Sequence, residues 1–225
     1  MNNKLAKVGM PPTLLWGYIG VLIFMMGDGL ELAWISPYLV DQGLSVHQTA
    51  ILTTSYGVTI AIGSWLSGVL VESFGPRKVM LLGTGLYIIG HAIFVGFAIP
   101  ALNYELMIPS YAIRGFGYPL FAYSFLVWVA YRSPQKRLGA AVGWFWFVFT
   151  GGLSVLGAYY SSFAINVFGH FATLWTAIIW VLIGTFLAVF VNKDEFNLEE
   201  REGGAKAHIS EMLAGITILI REPRV

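Results

Sequence analysis

The sequence predicts an all-α membrane protein of six transmembrane helices. Of its 225 residues, 57% are hydrophobic and 16% aromatic while only 11% are charged, far from the balance of a soluble domain. Apolar windows of about 20 residues recur six times, and none alternates with the period of two that a barrel strand would show. Twelve of the thirteen Lys and Arg residues fall in alternate connections between these windows, so the chain weaves through a bilayer.

The first span, roughly residues 14 to 39, is too long for a signal-peptide core, and no small-residue cleavage site follows it. Spans two to six are expected at roughly 48–71, 79–99, 105–130, 138–161 and 171–191. Lys4 and Lys7 precede span 1, Arg77 and Lys78 join spans 2 and 3, and Arg132, Lys136 and Arg137 join spans 4 and 5. Lys193, Arg201, Lys206, Arg221 and Arg224 follow span 6. The connections around Asp41 to His47, Pro100 to Asn103 and Asn166 to His170 carry no basic residue. The positive-inside rule therefore puts both termini in the cytoplasm.

Two regions are expected: a transmembrane domain over residues 1–191 and a cytoplasmic linker over 192–225. The linker opens on the charged stretch "NKDEFNLEEREGGAKAHIS". Beyond it, Ile209, Met212, Leu213, Ile216, Leu219 and Ile220 keep helical spacing over about 13 residues, too few to span a bilayer. A faint internal repeat pairs "GDGLELAWISPYL" from Gly27 in span 1 with "RGFGYPLFAYSFL" from Arg114 in span 4. Gly63 and Gly68 of span 2 match the spacing of Gly152 and Gly157 of span 5. Spans 1–3 and 4–6 run in opposite senses, so the relation is an inverted repeat, a construction transporters use.

Three charges lie inside the apolar windows: Asp28, Glu31 and Arg114. Each costs roughly 2.5 to 3.5 kcal/mol at the bilayer centre, so they should face protein or water and pair. Depth agrees: at 1.5 Å per residue, Glu31 and Arg114 both lie about 12 to 13 Å below the outer surface, with Asp28 about 5 Å deeper. Two acids against one base leave one carboxylate in excess. The expectation is that Asp28 takes and releases a proton while Glu31 and Arg114 orient or gate; the alternative is a static ion pair locking spans 1 and 4.

The stretch "GVLVESFGPRKVMLLG" resembles the signature loop of the major facilitator superfamily, with Gly68, Glu72, Gly75, Arg77 and Lys78 in the matching positions. Glu72 stands where the motif has Asp, and Ser73 where it has a basic residue. Gly68 is expected to permit close helix contact and Gly75 to turn the chain. "RGFGYP" from Arg114 resembles the span 4 motif that the superfamily associates with proton transfer. The Gly-Pro pattern of antiporters is missing from "FTGGLSVLGAYY", which favours symport or uniport. "LWGYIGVLIFMMGDGLELAWISPYL", "YAIRGFGYPLFAYSF" and "GWFWFVF" are similar to the polyol permease branch, the bacterial ribitol and arabinitol transporters. That resemblance implies a multi-pass carrier of the bacterial inner membrane that takes up a linear sugar alcohol with a proton.

A polyol needs hydrogen-bonding groups and flat surfaces for its CH faces. Tyr118 and Trp144 are the first candidates, with Tyr123, Tyr56 and Trp146 beside them; Trp16, Trp34, Tyr38 and Trp128 read as interfacial anchors. His91, alone among apolar residues of span 3, reads as a hydrogen-bonded structural residue. The chain has no cysteine. It also lacks a triad pattern, metal-ligand spacing, a phosphate-cradling loop and a basic face for nucleic acid, so no enzyme, cofactor or metal is expected.

The expected protein is the N-terminal half of a proton-coupled polyol carrier whose partners are solute, proton and lipid bilayer. The superfamily rocks two six-helix halves, so a truncated product or an assembly with a C-terminal half or a second copy is expected. A carrier of another solute (a sugar, sugar acid or monocarboxylate) is the alternative, and a non-transporting sensor or assembly partner the reading from another class.

Overall fold

The computed structural model describes residues 2–192 together with Asp194 and Phe196, with side chains from Leu5 onward. The amphipathic stretch Ile209 to Ile220 and the basic residues from Arg201 on lie outside the described residues. Among those described, the secondary structure is helical, with no strand. Four runs are long and apolar enough to cross a membrane: Pro12–Gly29, Val46–Phe74, Pro76–Ala98 and Gln135–Val191. The last holds 57 residues, about two spans, and the backbone at Gly169 (φ 79°, ψ 167°) divides it. Tyr104–Gly115 and Ser124–Arg132 supply the remaining pass in two pieces. Six passes result, at the places the hydropathy windows predict.

Local chemistry sets the boundaries. Ser45 and Gln48 form a reciprocal capping box at the start of Val46–Phe74, and the Asn103 side chain accepts from the Leu106 amide at the start of Tyr104–Gly115. Gly75 alone separates span 2 from span 3, with φ of 81°, a conformation that glycine takes without steric cost. Pro76 then occupies the first helical position of span 3.

Spans 1 and 4 are both interrupted beside their charges. Span 1 is helical over Leu15–Gly29 and Ile35–Asp41, with turns between. Pro37 lacks an N–H and its ring crowds the carbonyl of Ala33, which ends regular helix there. The Trp34 indole donates to the Leu30 carbonyl at 2.6 Å, satisfying an acceptor next to the break. In span 4, Pro119 does the same to Gly115, and the helix resumes through the wide turn Pro119–Tyr123.

Packing follows the inverted repeat. Span 1 lies against spans 5 and 6, and span 4 against spans 2 and 3. Each pairing has a glycine crossing: a Cβ at Gly20 would stand 2.5 Å from the Gly184 carbonyl oxygen, and one at Gly83 would stand 2.6 Å from that of Gly117. The spacing match between spans 2 and 5 holds at its first member only. Gly63 faces Phe116 and Pro119 of span 4 and Gly152 faces Leu22 and Met25 of span 1, but Gly157 packs on Gly29 while nothing lies within 4 Å of a Cβ at Gly68. The close helix contact expected of Gly68 is therefore not made within the described residues.

The core sits between spans 1, 4 and 5. Phe24 and Phe121 stack at 3.9 Å, Phe125 and Phe145 are fully buried, and the Tyr18 hydroxyl donates to the Ala141 carbonyl at 3.0 Å. Trp128, expected as an interfacial anchor, is fully buried instead, with the Arg77 guanidinium 5.4 Å above its ring.

Candidate proton-coupling and solute site

Arg114 ends Tyr104–Gly115 and is 1% exposed; Asp28 and Glu31, from the end of Leu15–Gly29 and the turn after it, are equally buried. Arg114 Nη2 meets Asp28 Oδ1 at 3.1 Å, and Nη1 donates to Glu31 Oε1. The three charges that the sequence singles out form one cluster, through the two arms of a single guanidinium.

A cage of three tyrosines surrounds them. Tyr56 donates to Asp28 Oδ1 at 2.9 Å, Tyr111 donates to Glu31 Oε1 at 2.8 Å, and the Tyr87 hydroxyl accepts from Arg114 Nη2 at 3.1 Å. Their rings also face the cation, with centroids 5.6, 5.3 and 4.8 Å from its central carbon for Tyr56, Tyr111 and Tyr87. Tyr56 and Tyr111 stack on each other, and Tyr87 stacks on His91, whose Nε2 meets the Leu174 carbonyl at 2.8 Å. The cage is buried, so the charges interact far more strongly than they would in water.

Satisfaction is incomplete. Glu31 Oε2, Arg114 Nε and His91 Nδ1 are buried and have no hydrogen-bond partner among the described residues. Both oxygens of Asp28 do accept, each from Tyr56. A permanent lock would be expected to have every buried polar atom paired; this cluster keeps one carboxylate oxygen free.

Sequence reasoning missed Tyr87 and Tyr111. Tyr111 lies one helical turn before Arg114, and Tyr87 one turn before His91 beside Thr84, a polar stripe on an apolar helix. That stripe was the available signal; Thr84 uses it to meet the Thr185 hydroxyl of span 6 at 2.8 Å. Of the proposed solute contacts, Tyr56 belongs to the cage. Tyr118 and Tyr123 are half-buried, with centroids 6.1 Å apart; both pack on Phe149, and Tyr123 also neighbours Trp146. Trp144 is apart from them, its indole donating to the Val8 carbonyl at 3.1 Å near the basic end of the bundle.

At that basic end, the signature-loop residue Arg77 donates to the main-chain carbonyls of Asn192 at 2.6 Å and Asp194 at 2.8 Å. The Asp194 carboxylate accepts from Arg132 at 2.6 Å and from the Thr13 hydroxyl at 3.0 Å. Phe196 packs on Tyr131 at 4.7 Å. The chain leaving span 6 is thus tied to spans 1, 3 and 4, and bundle contacts continue to Phe196. At the opposite end, His170 stacks on Tyr38 and meets Trp34 edge-on.

The family model for the Major Facilitator Superfamily matches residues 17–224. Over 224 residues the chain is 52% identical to the alpha-ketoglutarate permease of Bacillus subtilis (strain 168), covering 100% of this chain and 51% of that protein. Over 189 residues it is 41% identical to the D-arabinitol transporter and 40% identical to the ribitol transporter of Klebsiella pneumoniae, covering 84% of this chain and 44% of each. The chain spans about half the length of the curated relatives it matches. These relatives are permeases or transporters in name. With six passes, interrupted spans 1 and 4 and a charged cluster between them, the chain belongs to the Major Facilitator Superfamily and has the fold of its N-terminal six-helix domain.

Proposed function

We propose that the chain supplies the proton-coupling half of a secondary carrier that takes up a linear sugar alcohol, of the ribitol or D-arabinitol kind, across the bacterial inner membrane. The observation that carries this reading is the buried pairing of two carboxylates with one guanidinium, one carboxylate oxygen remaining without a donor. Asp28 is the proton carrier and Glu31 with Arg114 the orienting pair. Proton loading of one acid changes the charge that Arg114 balances, and the interruptions in spans 1 and 4 let the helices respond.

A neutral solute suits this half. Arg114 is the one Lys or Arg buried among the described residues, and both arms of its guanidinium are engaged. Tyr118 and Tyr123, with Trp146 beside them, offer hydroxyls and ring faces to a hydroxylated chain. Trp144 acts from the basic end, while Tyr56 acts through Asp28. Gly68, Glu72, Gly75, Arg77 and Lys78 flank the junction of spans 2 and 3 at the cytoplasmic side. The carrier works with a second six-helix half or a second copy, both termini of this chain being cytoplasmic.

A second reading, uptake of a dicarboxylate such as 2-oxoglutarate, is favoured by the 52% identity to a permease of that name. It requires a buried cation for the solute, either Arg114 on release or one supplied by the other half. The test is external pH in lightly buffered, energy-depleted cells expressing the gene's full product. Alkalinisation on adding ribitol or D-arabinitol, and none with 2-oxoglutarate, is the expected result. A response to 2-oxoglutarate alone selects the second reading, and no response to any solute despite membrane insertion refutes proton symport of either.

A further inference from the structure

Burial of His91 is complete, yet the coupling cluster described above makes no use of it. Its Nε2 meets the Leu174 carbonyl of span 6 at 2.8 Å; a carbonyl only accepts, so Nε2 carries a ring proton. Nδ1 is buried and has no partner among the described residues, so this one bond sets the plane of the imidazole. Tyr87, one turn earlier on span 3, takes up that plane: the two rings lie 5.4 Å apart with 12° between them. Phe24 of span 1 meets the Tyr87 ring edge-on at 5.7 Å. Glycines fix the main chain around these rings. A Cβ at Gly117 would stand 2.6 Å from the Tyr87 Cβ, and one at Gly90 would stand 2.5 Å from the Arg114 amide nitrogen. What remains free is the torsion of the Tyr87 side chain, and its hydroxyl is the acceptor that meets Arg114 Nη2 at 3.1 Å. Three residues before Tyr87, Thr84 meets the Thr185 hydroxyl at 2.8 Å, so span 3 touches span 6 through a polar contact on each side of the tyrosine.

From this chain of contacts we infer that His91 is a positioning residue: anchored on the Leu174 carbonyl, its ring aims the Tyr87 hydroxyl at Arg114. Span 6 thereby acts on a cluster to which it contributes no side chain. The inference deepens the reading of Arg114 as the orienting partner of the carboxylates and rests on that reading for its bearing on transport. The charged groups facing Tyr87 are Arg114 of span 4 and Asp28 and Glu31 of span 1, and Arg114 faces His91 as well. When span 6 shifts against span 3, the imidazole turns with the carbonyl and the Tyr87 hydroxyl leaves Nη2. The guanidinium then divides its donors differently between the two acids, so a movement of span 6 is felt where the carboxylates pair.

The test uses the purified full chain in neutral detergent. Ultraviolet resonance Raman spectra read the hydrogen bonding of tyrosine hydroxyls, and subtracting the spectrum of Tyr87→Phe in each background isolates Tyr87. Its acceptor signature should be lost in His91→Phe, which keeps a flat ring but cannot bond Leu174. It should be lost equally in His91→Gln, which can keep that bond but has no ring. Retention by His91→Phe would show that the anchor is unnecessary, retention by His91→Gln that the ring is, and either overturns the inference. Unfolding equilibria give the second readout. Tyr87→Phe should shift the equilibrium at least about fivefold in the unaltered chain and less than about twofold in either His91 variant, since a misdirected hydroxyl has no contact left to lose. An equal cost of Tyr87→Phe in all three backgrounds makes the two residues independent and overturns the inference too. If one His91 variant fails to fold, the other carries both measurements, and a Tyr87 without an acceptor signature in the unaltered chain refutes the proposal with no His91 variant at all. None of these readouts requires transport, so a failure here is separable from a failure of the carrier reading.

Discussion

Arg114 is the residue on which the interior depends, since it is the shared partner of two carboxylates and one tyrosine hydroxyl. Replacing it with Ala leaves two buried acids without their cation, and a loss of about 3 to 5 kcal/mol is expected, measured as a lowered unfolding midpoint in detergent. Arg114→Lys should recover only part of this, because an ammonium cannot present two parallel arms. Asp28→Asn is predicted to abolish proton-driven accumulation and spare solute exchange; a variant that concentrates solute normally would show that Asp28 is not the proton carrier. Tyr87→Phe removes the hydroxyl that accepts from Arg114 Nη2 and should destabilise by about 1 to 3 kcal/mol without disturbing ring stacking on His91. The charged trio was legible in the sequence because ionic residues stand out in apolar windows. The tyrosine cage was not, because a tyrosine in a membrane helix reads equally as anchor, core or ligand until its neighbours are known.

The elements of this bundle are shaped by proline and glycine more than by hydrophobic pattern. Pro37 and Pro119 interrupt spans 1 and 4 near Glu31 and Arg114. If the breaks let the helices move, Pro37→Ala and Pro119→Ala should preserve or raise thermal stability while slowing solute exchange; an unchanged exchange rate would deny the interruptions a part in transport. Glycine crossings give a sharper contrast. Gly184→Val drives a side chain into the backbone of span 1, where a Cβ already meets the Phe24 amide at 2.5 Å, and should cost about 1 to 3 kcal/mol or more. Gly68→Ala meets nothing within 4 Å and should fall within about 0.5 kcal/mol of the unaltered chain in the same unfolding assay. The motif made Gly68 look like the contact residue, whereas Gly20, Gly83, Gly117 and Gly184 make the contacts. Spacing alone could not sort them, because which face a glycine turns inward depends on where the neighbouring helix lies.

For the whole molecule, sidedness is directly testable because the chain contains no cysteine. Single substitutions His170→Cys and Lys136→Cys should label from opposite sides of intact cells with a membrane-impermeant maleimide, His170→Cys from outside and Lys136→Cys only after permeabilisation. The reverse pattern would invert the proposed topology. The basic end also carries the tie between Asp194, Arg77, Arg132 and Thr13, which joins the exit of span 6 to the three spans that supply Asp28, Tyr87 and Arg114. No sequence window could show that tie, because its partners are as far as 181 positions apart.

By itself, the sequence determined the class, the number of passes, their approximate limits and the three charges that must pair. Hydropathy, helix length and the cost of a charge in lipid act locally and leave few alternatives. The tertiary structure decided what depends on which faces meet: the tyrosine cage, the separation of Trp144 from Tyr118 and Tyr123, the burial of Trp128, and the anchoring of His91 on the Leu174 carbonyl. In a chain this apolar, most residues can face either lipid or protein, and only close packing between helices settles which they do.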